Sequence, residues 1–140
     1  MFRITVVDTI IEKKGKIVLV KRGGELSKGM LAIPGGRLEG KETVETAAMR
    51  EAEEETSLKV RLKQILGVYS DYDRHKRHAI ATVFIAEPIE GKIKAGSDAE
   101  EVFWVEPNEI EFSKLAFDHA KIIKDYIKWK KKKGTYWSTK

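Results

Sequence analysis

Apolar and polar positions along the 140-residue chain change their period several times, and each change predicts an element. Phe2–Glu12 is dense in β-branched residues (Ile4, Thr5, Val6, Val7, Thr9, Ile10, Ile11) and reads as a strand, with a turn at Lys13-Lys14-Gly15. Lys16–Arg22 is a short continuous apolar run on Ile17, Val18, Leu19 and Val20, the pattern of a buried strand. Gly23–Gly29 reads as a loop. Met30–Ile33 reads as a short strand stopped by Pro34, and at Gly35-Gly36 the backbone can take φ > 0 or approach another group closely. Thr43, or less favourably Thr46, is the expected N-cap of a helix running to about Thr56 through Ala47, Ala48, Met49 and Ala52. Leu58–Val68 begins in strict alternation, Leu58, Val60 and Leu62 against Lys59, Arg61 and Lys63, as a half-exposed strand does. Tyr69–Arg77 is polar and aromatic and reads as a loop. Ala79–Ala86 is a further buried strand ended by Pro88, Glu90–Asp98 a turn region, and Glu101–Val105 a last strand ended before Pro107. In Ala116–Lys132 the residues Ile122, Ile123, Tyr126 and Ile127 form one apolar stripe, so a second long helix is expected.

The order β-β-β-α-β-β-β-α, with most strands not separated by helices, predicts an α+β fold with a mixed sheet flanked by helices rather than a doubly wound parallel sheet. The length predicts one domain over 1–140, with a flexible tail at about 134–140.

Composition changes this picture in two places. The chain has no cysteine, which excludes disulfides, thiolate metal sites and a cysteine nucleophile. No apolar run approaches the roughly 18 residues of a membrane span. Residues 1–12 lack the layout of a signal peptide, so a cytoplasmic protein without a membrane partner is expected. Charged residues make up 35% of the chain, yet the net charge is only +5. That average conceals unlike parts. Residues 39–58 carry seven glutamates against Lys41 and Arg50, a segment charge of −5, which leaves +10 for the rest. The run Lys130–Lys133 supplies part of that surplus. It reads as a solvated helix end, with nucleic-acid binding disfavoured because no binding motif accompanies it.

The acidic segment needs a reason, because like charges on one helix face repel. At about 100° per residue, Glu55 lies near 40° and Glu54 near −60° from Glu51, while Glu53 points to the opposite face. Three carboxylates on one face suit a hard divalent cation, since Mg²⁺, Mn²⁺ and Ca²⁺ prefer oxygen ligands; Mg²⁺, or alternatively Mn²⁺, is the expected ion, with the rest of its shell from water and substrate phosphate. Arg50 lies beside Glu54 on the wheel and is placed to fix a carboxylate's orientation. Gly35 and Gly36, just upstream, let backbone carbonyls reach the same ion. Metal-assisted chemistry on a phosphate compound is the function this pattern predicts.

Gly36, five residues, Glu42, seven residues, then Arg50-Glu51-Ala52-Glu53-Glu54-Glu55-Thr56-Ser57-Leu58 resembles the Nudix box, G-x5-E-x7-R-E-U-x-E-E-x-G-U with U apolar, over residues 36–58. Ser57 stands where the family usually has Gly; an αL residue other than Gly there costs about 1 kcal/mol but removes no ligand. Lys28–Gly36 is similar to the family's usual lead-in. The resemblance implies the Nudix fold, an α-β-α sandwich with a mixed sheet, and hydrolysis of a nucleoside diphosphate linked to another group. It implies Glu51, Glu54, Glu55 and Gly36 as metal ligands, with Glu51 alternatively the base. Arg50 would be part of the catalytic set, and Glu42 and Gly35 would be structural.

The family often draws a further carboxylate from outside the box. Glu100 and Glu101 are the candidates, and Glu101 is favoured because it borders a strand. Tyr69–His78, Ala95–Glu101 and Phe117–His119 are similar to the small ADP-ribose pyrophosphatase-like branch. The loop after Tyr69 lacks that branch's prolines, with Tyr72 and Lys76 in their place. Arg22, Arg37, Arg74, Lys76 and Arg77 are the candidates for phosphate contacts, and Tyr69 or Tyr72 for stacking on a base. His119 reads as a helix-end or packing residue. The expected substrate is ADP-ribose or a similar small nucleotide. A (d)NTP pyrophosphohydrolase, a dinucleoside polyphosphate hydrolase and a non-enzymatic nucleotide-sensing or RNA-binding module remain the alternatives. A homodimer is conceivable through an exposed first strand or the last helix.

Overall fold

The computed structural model of the protein describes residues 1–24, 28–96 and 98–140. The middle of the expected loop Gly23–Gly29, and Ser97 in the expected turn region, lie outside the described residues. The elements are β1 (Thr5–Lys13), β2 (Lys16–Arg22), β3 (Leu31–Ala32), β4 (Gly35–Arg37), α1 (Val44–Thr56), β5 (Lys59–Tyr69), β6 (Ile80–Glu90), β7 (Ala99–Val105), α2 (His119–Lys131) and β8 (Tyr136–Trp137).

β1 and β2 form a hairpin, but they pair only at its closed end, Glu12 with Ile17 and Lys13 with Lys16. Beyond that point they separate. β1 runs parallel to β6 along Thr5–Ile11, and its other edge takes up β4 at Val6–Asp8. β2 turns away to pair with β7 and β3. β5 lies antiparallel to β6, and β8 adds parallel to β5. The sheet is therefore mixed, and the divergence of β1 from β2 opens a cleft in it.

Strand alternation assigns the two helices to opposite faces. Val6 and Ile10 of β1, with Val83 and Ile85 of β6, pack on the α2 side against Ile122, Ile123, Tyr126 and Trp129. Val7 and Phe84 face Ala47 and Ala48 of α1, and Ile11 and Ala86 face Ala52. The alanines let α1 approach the sheet closely, which brings its carboxylates near the cleft. The result is the expected α-β-α arrangement.

Four expectations change. β1 is the central strand, not an exposed one, so no second copy can pair along it. β6 runs through Pro88 instead of ending before it. Pairing with β1 stops at Ala86, so Pro88 has no ladder partner on that side to which a missing N–H matters. Gly35–Arg37 forms a strand, because the open edge of β1 accepts it. The tail is ordered: Tyr136 and Trp137 pair with Gly67 and Val68, and the Ser138 hydroxyl oxygen accepts the Ser70 and Asp71 N–H groups. A side chain on Gly67 would overlap the Tyr136 carbonyl, so this strand docks only against a glycine.

Candidate active site

The Thr43 hydroxyl oxygen accepts the Thr46 N–H and starts α1. From there Arg50 organises the helix face. Its guanidinium donates to both Glu42 oxygens at 2.7 and 2.9 Å, to Glu51 at 2.8 Å, to Glu54 at 3.1 Å and to the Arg37 carbonyl at 3.0 Å. All five of its N–H groups are used. The bidentate pairing holds the Glu42 carboxyl below its ordinary range, and the Glu39 N–H adds to this. Arg50 thus ties the loop before α1, through Glu42 and Arg37, to Glu51 and Glu54.

At its far end α1 stops at Ser57, whose φ of 69° is the left-handed conformation the box pattern requires there. Its N–H donates to the Glu53 carbonyl, and its hydroxyl donates to the Lys94 carbonyl at 3.0 Å. That second bond offsets part of the cost of a non-glycine residue. The Lys94 and Gly96 N–H groups bond the Thr56 and Glu55 carbonyls, so segment 94–96 grips the helix end.

Glu51 and Glu55 line a cavity of about 730 Å³ in the cleft. Gly36 lies against Glu51: a Cβ there would come within 2.5 Å of the carboxyl carbon. Burial raises the Glu51 carboxyl, against the pull of Arg50. Glu55 is pushed up to about 9, by burial first and then by the charge of Glu51, with Asp8 adding to it. Arg22 and the Gly35 N–H oppose the shift without cancelling it. Two carboxylates crowded in a low-dielectric pocket without enough positive charge are chemically fitted to a hard cation. Among the described residues no three acidic or histidine side chains converge tightly enough to hold an ion alone. Glu51, Glu55 and the Gly36 carbonyl would hold a divalent ion in part, leaving places for water and substrate oxygens.

The candidate residues from the sequence divide as follows. Arg22, Arg37, Arg74 and Arg77 all line the cavity with Gly35 and Gly36. Arg74 is buried there and pinned by Asp118 at 2.7 Å and by the Ala79 carbonyl, so its charge is largely committed. Glu54 is half-exposed and outside the lining, bound to Arg50 at the lip.

Tyr69 is not a cavity residue. It ends β5 in the core, fully buried, with its hydroxyl donating to Asp125 at 2.8 Å. The strand is one residue longer than the alternating pattern indicates, and the pleat turns Tyr69 under α2. Glu101 is likewise outside the cavity, exposed on β7 opposite Lys21. Its anchoring in a strand, the reason for favouring it, is what carries it away: the pleat sets its direction. Asp98, before the strand and left-handed at φ 62°, lines the cavity instead.

Sequence reasoning missed further lining residues. Asp8 interrupts an apolar strand, a signal that was available. His75, Phe117 and His119 form an aromatic wall: His75 stacks on Phe117 at 4.4 Å, Arg22 lies 5.0 Å over the same ring, and His119 meets it edge-on. Burial and the neighbouring Arg74 and Arg22 lower His75, so its ring is neutral near pH 7. Phe117 has φ 54°, a strained conformation for an aromatic residue, and it turns this ring to the cavity. No local pattern announces that turn.

A family model for the NUDIX domain matches residues 1–126. An ADP-ribose pyrophosphatase of Methanocaldococcus jannaschii is 53% identical over 125 residues, covering 89% of this chain and 73% of that protein. A NUDIX hydrolase of Nitrosomonas europaea superposes with a TM-score of 0.88 at 23% identity, covering 99% of this chain and 78% of its own. A bifunctional NMN adenylyltransferase/ADP ribose pyrophosphatase of Francisella tularensis, complexed with AMP and a manganese ion, superposes at 0.78 with 26% identity. That match covers 91% of this chain and 42% of the bifunctional one.

Proposed function

This chain belongs to the Nudix family, and from that premise we propose that it is a metal-dependent pyrophosphohydrolase acting on ADP-ribose or a closely similar small nucleotide. The observation that carries the reading is the pair Glu51 and Glu55, half-buried and with both carboxyls raised, lining one cavity together with Arg22, Arg37 and Arg77. Such a cavity offers carboxylates to a cation and guanidinium groups to phosphates. The identity to the Methanocaldococcus jannaschii ADP-ribose pyrophosphatase supports the choice of substrate.

Bound in the cavity, a divalent ion, Mg²⁺ in this reading and Mn²⁺ as a substitute, would supply charge neutralisation of the diphosphate and a more acidic water. Glu51 and Glu55 would hold such an ion from their side of the cavity. Arg50 locks the rotamer of Glu51, and the missing Cβ of Gly36 leaves that carboxyl room. Arg22, Arg37 and Arg77 bind phosphate oxygens and orient the phosphorus for in-line attack. Asp98 brings a further carboxylate to the cavity and would serve in this reading as the base for the attacking water. Water adds to one phosphorus, the bridging P–O bond breaks, and ADP-ribose gives AMP and ribose phosphate. A cysteine-free chain acting on nucleotides is read as cytoplasmic.

Chromatography of products from ADP-ribose, NADH, dinucleoside polyphosphates and (d)NTPs, with and without Mg²⁺ or Mn²⁺, tests this. The expected result is AMP from ADP-ribose only when metal is present. Turnover of none of them overturns the enzyme reading; preference for a (d)NTP overturns the substrate.

A further inference from the structure

β1 places a carboxylate among residues that otherwise serve the core. The Asp8 side chain is 8% exposed, it lines the cavity, and its Oδ2 is buried without a hydrogen-bond partner. A buried acceptor left unmet costs folding free energy, and more so when charged. Folding alone gives no reason for this residue.

Beside it stands His119, the first residue of α2, with a side chain 2% exposed. Its Nδ1 accepts the Ile33 N–H at 3.0 Å, which puts the proton of the neutral ring on Nε2. Nε2 is 3.7 Å from Asp8 Oδ2, too far for a direct hydrogen bond. The cavity wall therefore presents one donor and one acceptor side by side, neither satisfied by the other. They adjoin the acidic wall, since Asp8 pairs with Gly35 in the β1–β4 ladder. A group next to the diphosphate would meet them.

A hydroxyl is the complement of such a pair, because it donates and accepts through one oxygen. A terminal phosphate is not: it offers no proton to Asp8 and meets a like charge.

We propose that Asp8 and His119 are specificity-determining residues that receive a hydroxyl of the sugar carried on the diphosphate, selecting it over a nucleotide that ends in a further phosphate. The proposal rests on the pyrophosphohydrolase reading of the same cavity. The sugar O–H donates to Asp8 Oδ2, and its oxygen accepts from His119 Nε2–H.

The test compares kcat and KM of wild type, Asp8→Asn, His119→Gln and His119→Ala on ADP-ribose, on its analogues lacking one hydroxyl of the terminal ribose, and on ATP. Asp8→Asn is expected to raise KM for ADP-ribose at least tenfold with little change in kcat, and to narrow the preference over ATP by a similar factor. One deoxy analogue should be as poor for wild type as ADP-ribose is for Asp8→Asn, and the variant should scarcely distinguish the two. His119→Gln, which keeps a donor near the Nε2 position, should lose less than His119→Ala. Thermal melts verify that each variant is folded. Equal losses of kcat on every substrate, or unchanged preference, overturn the proposal. No turnover by wild type would sink the pyrophosphohydrolase reading instead. Calorimetric binding of ADP-ribose without metal then reads the contact by itself, and equal affinities of wild type and Asp8→Asn overturn it.

Discussion

Arg50 makes five hydrogen bonds from one guanidinium, and no other side chain can reproduce them. Lysine keeps the charge but has three donors on a point charge, so it can hold Glu42 or Glu51 but not the planar set. Arg50→Lys is expected to lower kcat/KM about 10–100-fold, the usual effect of losing a group that orients a ligand. Activity against metal concentration checks it, and the curve should also shift to higher metal. Tyr69 makes the opposite case. Its hydroxyl meets Asp125 beneath α2, where Lys121 is the other partner at 2.8 Å. Tyr69→Phe leaves a buried carboxylate one donor short, which costs about 1–3 kcal/mol of stability. Denaturant unfolding should show that loss while KM for the substrate stays at its wild-type value.

At the scale of elements, glycines report what each segment must approach. Gly36 in β4 faces a flexible side chain, Glu51, whereas Gly96 faces the backbone carbonyl of Glu54. Gly36→Ala should therefore fold with nearly the wild-type melting temperature and lose most of its activity, because Glu51 swings aside. Gly96→Ala must shift the segment that grips the end of α1, and should destabilise by about 1–3 kcal/mol, as overpacking does. Melting curves and initial rates on the two variants separate the effects. Elements with a strong local signal were readable in advance. β2 spans its apolar run Ile17–Val20 with the flanking Lys16, Lys21 and Arg22, and α1 begins after Thr43 and stops at Thr56, because caps and helix formers act within a few residues. β4 and β8 were not readable. Each is two or three residues long and exists because another strand offers an unpaired edge. Tyr69 and Glu101 point away from the cavity because the pleat of a strand sets each side chain's direction, and no local pattern says which face of β5 or β7 borders the cleft.

For the molecule as a whole, the −5 segment within a basic chain becomes the acidic wall of a cleft whose other walls carry arginines. Its most strained charge is Glu55. The unfolded chain ionises this group near 4.5, and the folded protein only near 9. The folded value is raised, so the group's contribution to stability is complete below about pH 4.5 and is lost as pH rises towards 9. Metal-free protein should melt at progressively lower temperature across that window. Metal binding requires the ionised form, so it should release a proton and tighten as pH rises. Melting curves with and without Mn²⁺ should diverge with increasing pH; parallel curves would remove Glu55 from the ion's site.

That Glu51 and Glu55 share one helix face was determined by the sequence alone, because spacing on a single helix fixes their mutual directions through local geometry. So were the two helices, most of the strands and the likeness to one family. What faces those carboxylates was decided only by the tertiary structure. The cleft exists because β1 and β2 part after two pairs, and its other walls are drawn from β1, β2, β4, the loops at 74–77 and 98, and the start of α2. Asp8, Asp98, Phe117 and His119 are up to 111 residues apart, and no periodicity links them. Only long-range strand pairing, which local sequence does not encode, brings them to one cavity.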